Sequence, residues 1–271
     1  MTALTRQHGV TSVRWLVAIV LAGCTNESAR APAPPRYVWP DSFAYHVEYT
    51  TDGGPAGART DASSVLRFVV RNERYWVWND GVTKTRSAAG AAPESLPVST
   101  GDTLHWYVRL GRFGDLGDIE RDCDPSVAAC HDVLPSALPL ELRHVIPRLP
   151  VWWPPQGHAW ADTLAFDDSP RPDGVRGSVV ASYRVLRDTV VAATHCWLIA
   201  WTSVRHAERP AGRAAAAEPD AEERGEVLVD KAGLIPTLAT WRGSVAAPGG
   251  ATVRGRAWLV GGAFDSTRAG R

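Results

Sequence analysis

The chain has 271 residues, 29 of them basic and 29 acidic, for a formal net charge of zero. Such a chain carries no global field to recruit nucleic acid. Its length allows one large β domain or two small ones, with ample chain for a core; the chain has twelve tryptophans, which in a folded body serve either as core anchors or as an aromatic binding surface.

Arg6 and Arg14 precede an apolar run, Trp15 to Ala22, that closes on Leu21-Ala22-Gly23-Cys24. Basic, then apolar, then small residues before a cut is the order of an export signal. The run falls short of the roughly 20 apolar residues that a membrane-spanning helix needs. Leu-Ala-Gly-Cys resembles the lipobox of bacterial lipoproteins. The resemblance implies a signal peptide over 1–23, cleavage before Cys24, and acylation of Cys24 by palmitate-type chains. With Thr25 rather than Asp in the second mature position, it also implies the periplasmic face of the cell outer membrane. Several acyl chains on one residue anchor stably, since each buried methylene contributes about 0.8 kcal/mol and one chain alone is marginal. Residues 24–36, polar and rich in Pro and Ala after the cysteine, form an extended tether. A single β-rich domain is expected over 37–263, followed by a polar tail over 264–271.

With Cys24 lipidated, Cys123, Cys130 and Cys196 remain. Cys123 and Cys130 enclose a short Pro-containing loop and are expected to form a disulfide in the oxidising exported setting, contributing about 2–3 kcal/mol. Cys196 lies in an apolar strand and is expected to be a buried, inert thiol. Cys123, Cys130 and His131 lack a second cluster at zinc spacing, so no metal site is assigned.

From Tyr37 onward the hydrophobic period is two. Phe43, Tyr45, Val47 and Tyr49 alternate with polar neighbours, and Thr51–Pro55 forms a turn. A strand over Val65–Arg71 is followed by another over Arg74–Trp78, and Asn79-Asp80-Gly81 marks a hairpin turn. Residues 87–101 are expected to be loop, and Leu104 to Leu110 alternate again. Gly111 to Asp132 breaks the pattern. In 134–149, Leu138, Leu142, Val145 and Ile146 recur at helical spacing, which predicts one short helix across the sheet. Val151-Trp152-Trp153-Pro154-Pro155 is a rigid crossing that leads into a strand at 159–166. Strands are then expected over 177–186 and 189–204, with a turn at Arg187-Asp188. The second is apolar on both faces and should be covered on both, by the helix or by a hydrophobic cavity. A mobile loop over about 205–224 precedes a final meander at 225–230, 234–243 and 252–260.

No motif supports catalysis. Gly-x-Ser-x-Gly, the phosphate-binding Gly-rich loop and His-Glu-x-x-His are absent, and His46, His105, His131, His144, His158, His195 and His206 are scattered singly. Asp115, Asp118, Glu120, Asp122 and Asp124 alternate as calcium ligands do, but Cys123 and Ala129 stand where a calcium loop needs Gly and Glu. A solvated acidic loop is the simpler expectation. No catalytic residue, metal or cofactor is assigned.

The fold class predicted is mainly β: a curled antiparallel sheet, half-barrel or open barrel, with one short crossing helix. Pro154-Pro155-Gln156-Gly157-His158-Ala159-Trp160, the hairpin after it and the final meander resemble exported bacterial half-barrel lipoproteins, similar in architecture to periplasmic carriers of lipids and lipoproteins. The resemblance implies a hydrophobic or lipid ligand held on a Trp-rich concave face, with Trp106, Trp153, Trp160, Trp197 and Trp201 as candidate lining. Membrane contact through the N-terminal lipid is the other partner implied, and nucleic acid is not. The alternative is a structural or interaction lipoprotein whose tryptophans fill a core and bind nothing.

Overall fold

Alternation of apolar and polar side chains makes almost every segment of this chain a strand with one face to bury. The computed structural model describes residues 33–53, 57–88, 91–98, 105–122, 137–167, 176–208, 221–245 and 251–260. All of these belong to the second of two units, Ala33–Arg271, into which the chain divides after Pro32. The strands are β1 (Ser42–Asp52), β2 (Arg59–Arg71), β3 (Arg74–Ser87), β4 (Glu94–Ser95), β5 (His105–Leu110), β6 (Leu116–Asp122), β7 (Ala159–Asp167), β8 (Arg176–Val191), β9 (Thr194–Glu208), β10 (Ala221–Asp230), β11 (Pro236–Val245) and β12 (Ala251–Leu259). One described helix, α1 (Ala137–Val145), lies between β6 and β7. The fold is therefore mainly β, as the alternation predicts.

All twelve strands form one antiparallel sheet, in the order β6-β5-β3-β2-β1-β12-β11-β10-β9-β8-β7, with β4 added beside β3. The pairing of β1 with β12, from Tyr45↔Leu259 to Asp52↔Thr252, joins an N-terminal meander to a C-terminal one. β6 and β7 are the two edges and do not pair, so the sheet is curled but not closed. The chain must pass from one edge to the other between β6 and β7, and α1 lies on that passage. Leu142, Val145, Ile146 and Leu149 are buried there, in one core cluster with Tyr45, Phe68, Val77, Val108, Tyr183, Val185, Ile199, Val227 and Ala239 from the inner face of the sheet.

Side chains hold together what strand pairing leaves open. Asp162 on β7, with its carboxylate only 4% exposed, accepts Arg148 Nη1 at 2.8 Å and pairs with Arg143 Nη2 at 3.1 Å. Arg148 also reaches Asp115, next to β6, at 3.0 Å. Arg143 Nη1 donates to the Gly114 carbonyl at 2.7 Å, and the Leu149 amide donates to Phe113 C=O at 2.7 Å. Residues 143–149 thus tie both sheet edges to one strap. Gly114, at φ +82°, is required at this seam, because a Cβ there would lie 2.7 Å from the Pro147 carbonyl oxygen. Nearby, the Tyr37 hydroxyl donates to the same carbonyl at 2.7 Å.

Five expectations are corrected. Asn79-Asp80-Gly81 is not a hairpin turn: β3 runs through it, and Gly81 (φ +60°) sits in a bulge opposite Ser64. A residue tolerant of positive φ serves a bulge as well as a turn. Arg187-Asp188 is likewise within β8, beside a bulge that leaves Leu186 unpaired, and the turn falls at Ala192-Ala193 with φ of 48° and 66°. Alanine gives no sequence signal for that conformation. The outer face of β9 is covered only in part: Cys196 is buried but Leu198 and Ala200 are half-buried, and α1 lies on the Trp201 side. The stretch expected to be a loop after Gly111 contains β6, and the loop expected at 205–224 is shortened from both ends by β9 and β10.

Candidate functional site

The inner face of β9 to β12 carries an alternation of bulky and absent side chains along one row across the strands. Trp201 pairs with Gly225, Gly225 with Trp241, Trp241 with Gly255, and Gly255 with Tyr49. Each indole occupies the space that a neighbouring Cβ would take: one on Gly255 would lie 2.0 Å from Trp241 Cε2, and one on Gly225 would lie 2.8 Å from Trp201 Cε2. The two glycines are therefore seats for the two tryptophans.

His144, one residue before the end of α1, stacks on both. Its ring lies 4.9 Å from that of Trp241 at an interplanar angle of 10°, and 5.6 Å from that of Trp201 at 23°. His144 Nε2 lies 2.9 Å from Glu223 Oε2 on β10. Burial by itself would raise the Glu223 carboxyl, but the hydrogen bond and charge of His144, together with Arg205, outweigh it and hold the group below its ordinary range. The Trp201 Nε1–H is buried without a hydrogen-bond partner among the described residues. Such an unmet donor costs about 1–3 kcal/mol.

Beside this cluster a half-enclosed cleft of about 70 Å³ opens between α1 and strands β1–β3. Val47, Tyr49, Ala62, Leu66, Val82, Val145 and Trp241 supply its apolar lining, and Ser63, Ser64, Asn79, Glu141 and His144 its polar groups.

The five tryptophans singled out by sequence do not form one wall. Trp106 on β5 is buried in the core. Trp201 is buried under α1. Trp160 on β7 is half-buried at the seam, stacked on Tyr183 at 5.5 Å and donating to Arg148 C=O at 2.6 Å. Trp197 is buried near the β8–β9 turn, 5.1 Å from exposed Trp153, whose Nε1–H donates to the Ala33 carbonyl. Sequence reasoning missed Trp241, His144 and Glu223. The available signal was the set of interior glycines, Gly225, Gly243 and Gly255, in segments otherwise patterned as strands.

Cys24, the tether through residue 32, the Cys123–Cys130 disulfide, His131 and the tail from 264 lie outside the described residues. Cys196 is buried and free, and burial pushes its thiol up. Of the acidic run, Asp115 pairs with Arg148, Asp118 with Arg109 and Glu120 with Arg74, Asp122 accepts from Trp76 Nε1, and Asp124 lies outside the described residues. Among the described residues no group of three or more His, Cys, Asp or Glu is placed to hold a metal ion.

No protein-family model matches the chain, and no curated protein matches its sequence. Solved structures similar to it include these two. One, described as lipid-protein interactions in lipovitellin, has 11% identity and a TM-score of 0.43 over 82% of this chain, which spans only 25% of that protein. The other, the hypothetical lipoprotein YmcC from Escherichia coli (K12), has 11% identity and a TM-score of 0.30 over 83% of this chain and 85% of that one.

Proposed function

We propose that the chain is a lipid-anchored envelope lipoprotein whose curled sheet binds a hydrophobic or lipid ligand. Leu21-Ala22-Gly23-Cys24 after its apolar run supports the anchor at Cys24. Thr25 supports the periplasmic face of the outer membrane as its location. In this reading 1–23 is the signal peptide and 24–36 the tether. The cleft between α1 and β1–β3 carries the ligand reading, because it is mostly apolar, partly enclosed and edged by a few polar groups, as small-molecule sites are. It takes the place of the five-tryptophan wall as the site, with Trp241 in its lining and Trp201 packed behind His144. At about 70 Å³ the resting cleft is smaller than the roughly 150 Å³ that admits benzene. It therefore takes the end of an apolar chain, and a longer ligand requires α1 to shift along the inner face.

Native mass spectrometry of the purified protein, with uptake of a fluorescent fatty acid, tests this. One bound equivalent is expected, lost when Ala62→Trp fills the cleft. Finding neither co-purified lipid nor uptake would reject the ligand. A second reading, a structural or interaction lipoprotein with a filled core, is favoured by the burial of Trp106, Trp197 and Trp201. It predicts no uptake at all.

A further inference from the structure

Antiparallel strands bring their alternate ends together, and one end of this sheet is unusually apolar at its surface. It gathers the start of β1, the end of β12, and the β8–β9 and β10–β11 turns. Val38 (61% exposed), Val151 (60%), Val190 (57%) and Trp152 (49%) stand out from it, with exposed Trp153 and Val260 beside them. Contacts show that these residues share the end. The Val38 amide donates to Leu234 C=O at 3.3 Å, Val260 to Ala44 at 2.8 Å, and Lys231 to His195 at 2.9 Å. Trp153 lies against Trp197. Large exposed apolar side chains gathered in this way mark an interaction surface.

The chain identifies the partner. Trp153 Nε1 is bonded to the carbonyl of Ala33, so the described body begins beside Trp153, at this patch. Ala33 follows Cys24 by nine residues, a span of at most about 30 Å at the reach of an extended chain. We infer that this end of the body docks on the bilayer that carries the Cys24 acyl chains, with Val151, Trp152, Val38 and Val190 entering the headgroup region. Tryptophan favours that depth because its ring is apolar and its N–H stays wet. Docking there holds the body in a fixed orientation, with the opposite end of the sheet facing away from the membrane. The inference rests on lipidation of Cys24.

The test uses the full lipidated chain in vesicles of phosphatidylethanolamine and phosphatidylglycerol, three to one, carrying bromine near the headgroups. Bromine quenching of tryptophan emission is expected in the wild type. It should fall sharply in the Val151→Ser/Trp152→Ser double variant and in Val190→Asp, which lies on a different element. Val180→Ser, an exposed site on β8 away from this end, should leave it unchanged. With unlipidated Cys24→Ser, vesicle partitioning should be weak, and about tenfold weaker again in the double variant, as expected for two lost apolar side chains. Unfolding curves confirm that the variants fold. Equal quenching in wild type, the double variant and Val190→Asp would overturn the inference. So would a protein complex lost in those variants without any vesicle contact. Failure of the anchor is separate: it would appear as a wild-type mass without lipid, whatever the patch does.

Discussion

Gly255 shows most directly how a single residue decides the geometry of the site. A Cβ there would lie 2.0 Å from Trp241, so Gly255→Ala must push the indole off its seat and away from His144. Overpacking of this kind costs about 1–3 kcal/mol, and a matching fall in stability is expected from urea unfolding. The His144–Glu223 pair makes a second prediction. The folded Glu223 carboxyl is held below its ordinary range, so its stabilising contribution is present above the unfolded value, about 4.3. It is lost as pH falls through the lower, folded value. Near-UV circular dichroism of the tryptophans followed downward from pH 5 should show α1 loosening at lower pH, and Glu223→Gln should flatten that part of the profile. Cys196, buried with its thiol pushed up, should react with a thiol reagent only when the protein opens. Reaction as fast as that of a free thiol would contradict its burial.

At the scale of elements, the strap over residues 143–149 replaces the strand pair that would otherwise close the sheet. Its stability rests on Asp162, whose carboxylate is buried against two arginines. Asp162→Ala leaves Arg143, only 10% exposed, without its carboxylate partner. Breaking a buried pair on one side costs about 3–5 kcal/mol. The expected result is a large loss of stability, with hydrogen exchange rising first in α1 and in the two edge strands. Arg148→Ala should cost less, because its side chain is 45% exposed and Arg143 remains on Asp162. A loss in Arg148→Ala equal to that in Asp162→Ala would mean that the clamp across both edges, and not the buried charge, dominates.

For the molecule as a whole, the exposed patch and the cleft lie in different parts of the sheet. One end holds Ala33 and the exposed apolar patch, and the curled interior between the ends carries the cleft under α1. Anchoring is tested apart from ligand binding: Cys24→Ala should release the protein from the membrane fraction, and unchanged retention would remove the lipobox reading. Peptide mapping without reductant should show Cys123 joined to Cys130, and Cys196 as a free thiol.

Much of this architecture was legible in the sequence because it is written locally. Period-two alternation at Phe43–Tyr49, Trp106–Leu110 and 177–185 states which face of each strand is buried, and that is enough to give the fold class. The helical spacing of Leu142, Val145 and Ile146 gave the helix. Leu21-Ala22-Gly23-Cys24, on which the proposed anchor rests, is likewise a short contiguous string. What the sequence could not state is register. Trp241 meets Gly255, and Trp201 meets Gly225, only once β9 to β12 are aligned, and a slip of one residue would turn those side chains to the other face. Asp162, Arg143, Arg148 and Asp115 are spread over 48 positions and meet only because the passage from β6 to β7 brings both sheet edges to one strap. Local periodicity tells each strand which side faces inward; which residues meet there is decided by the long-range alignment of strands that are far apart in the chain.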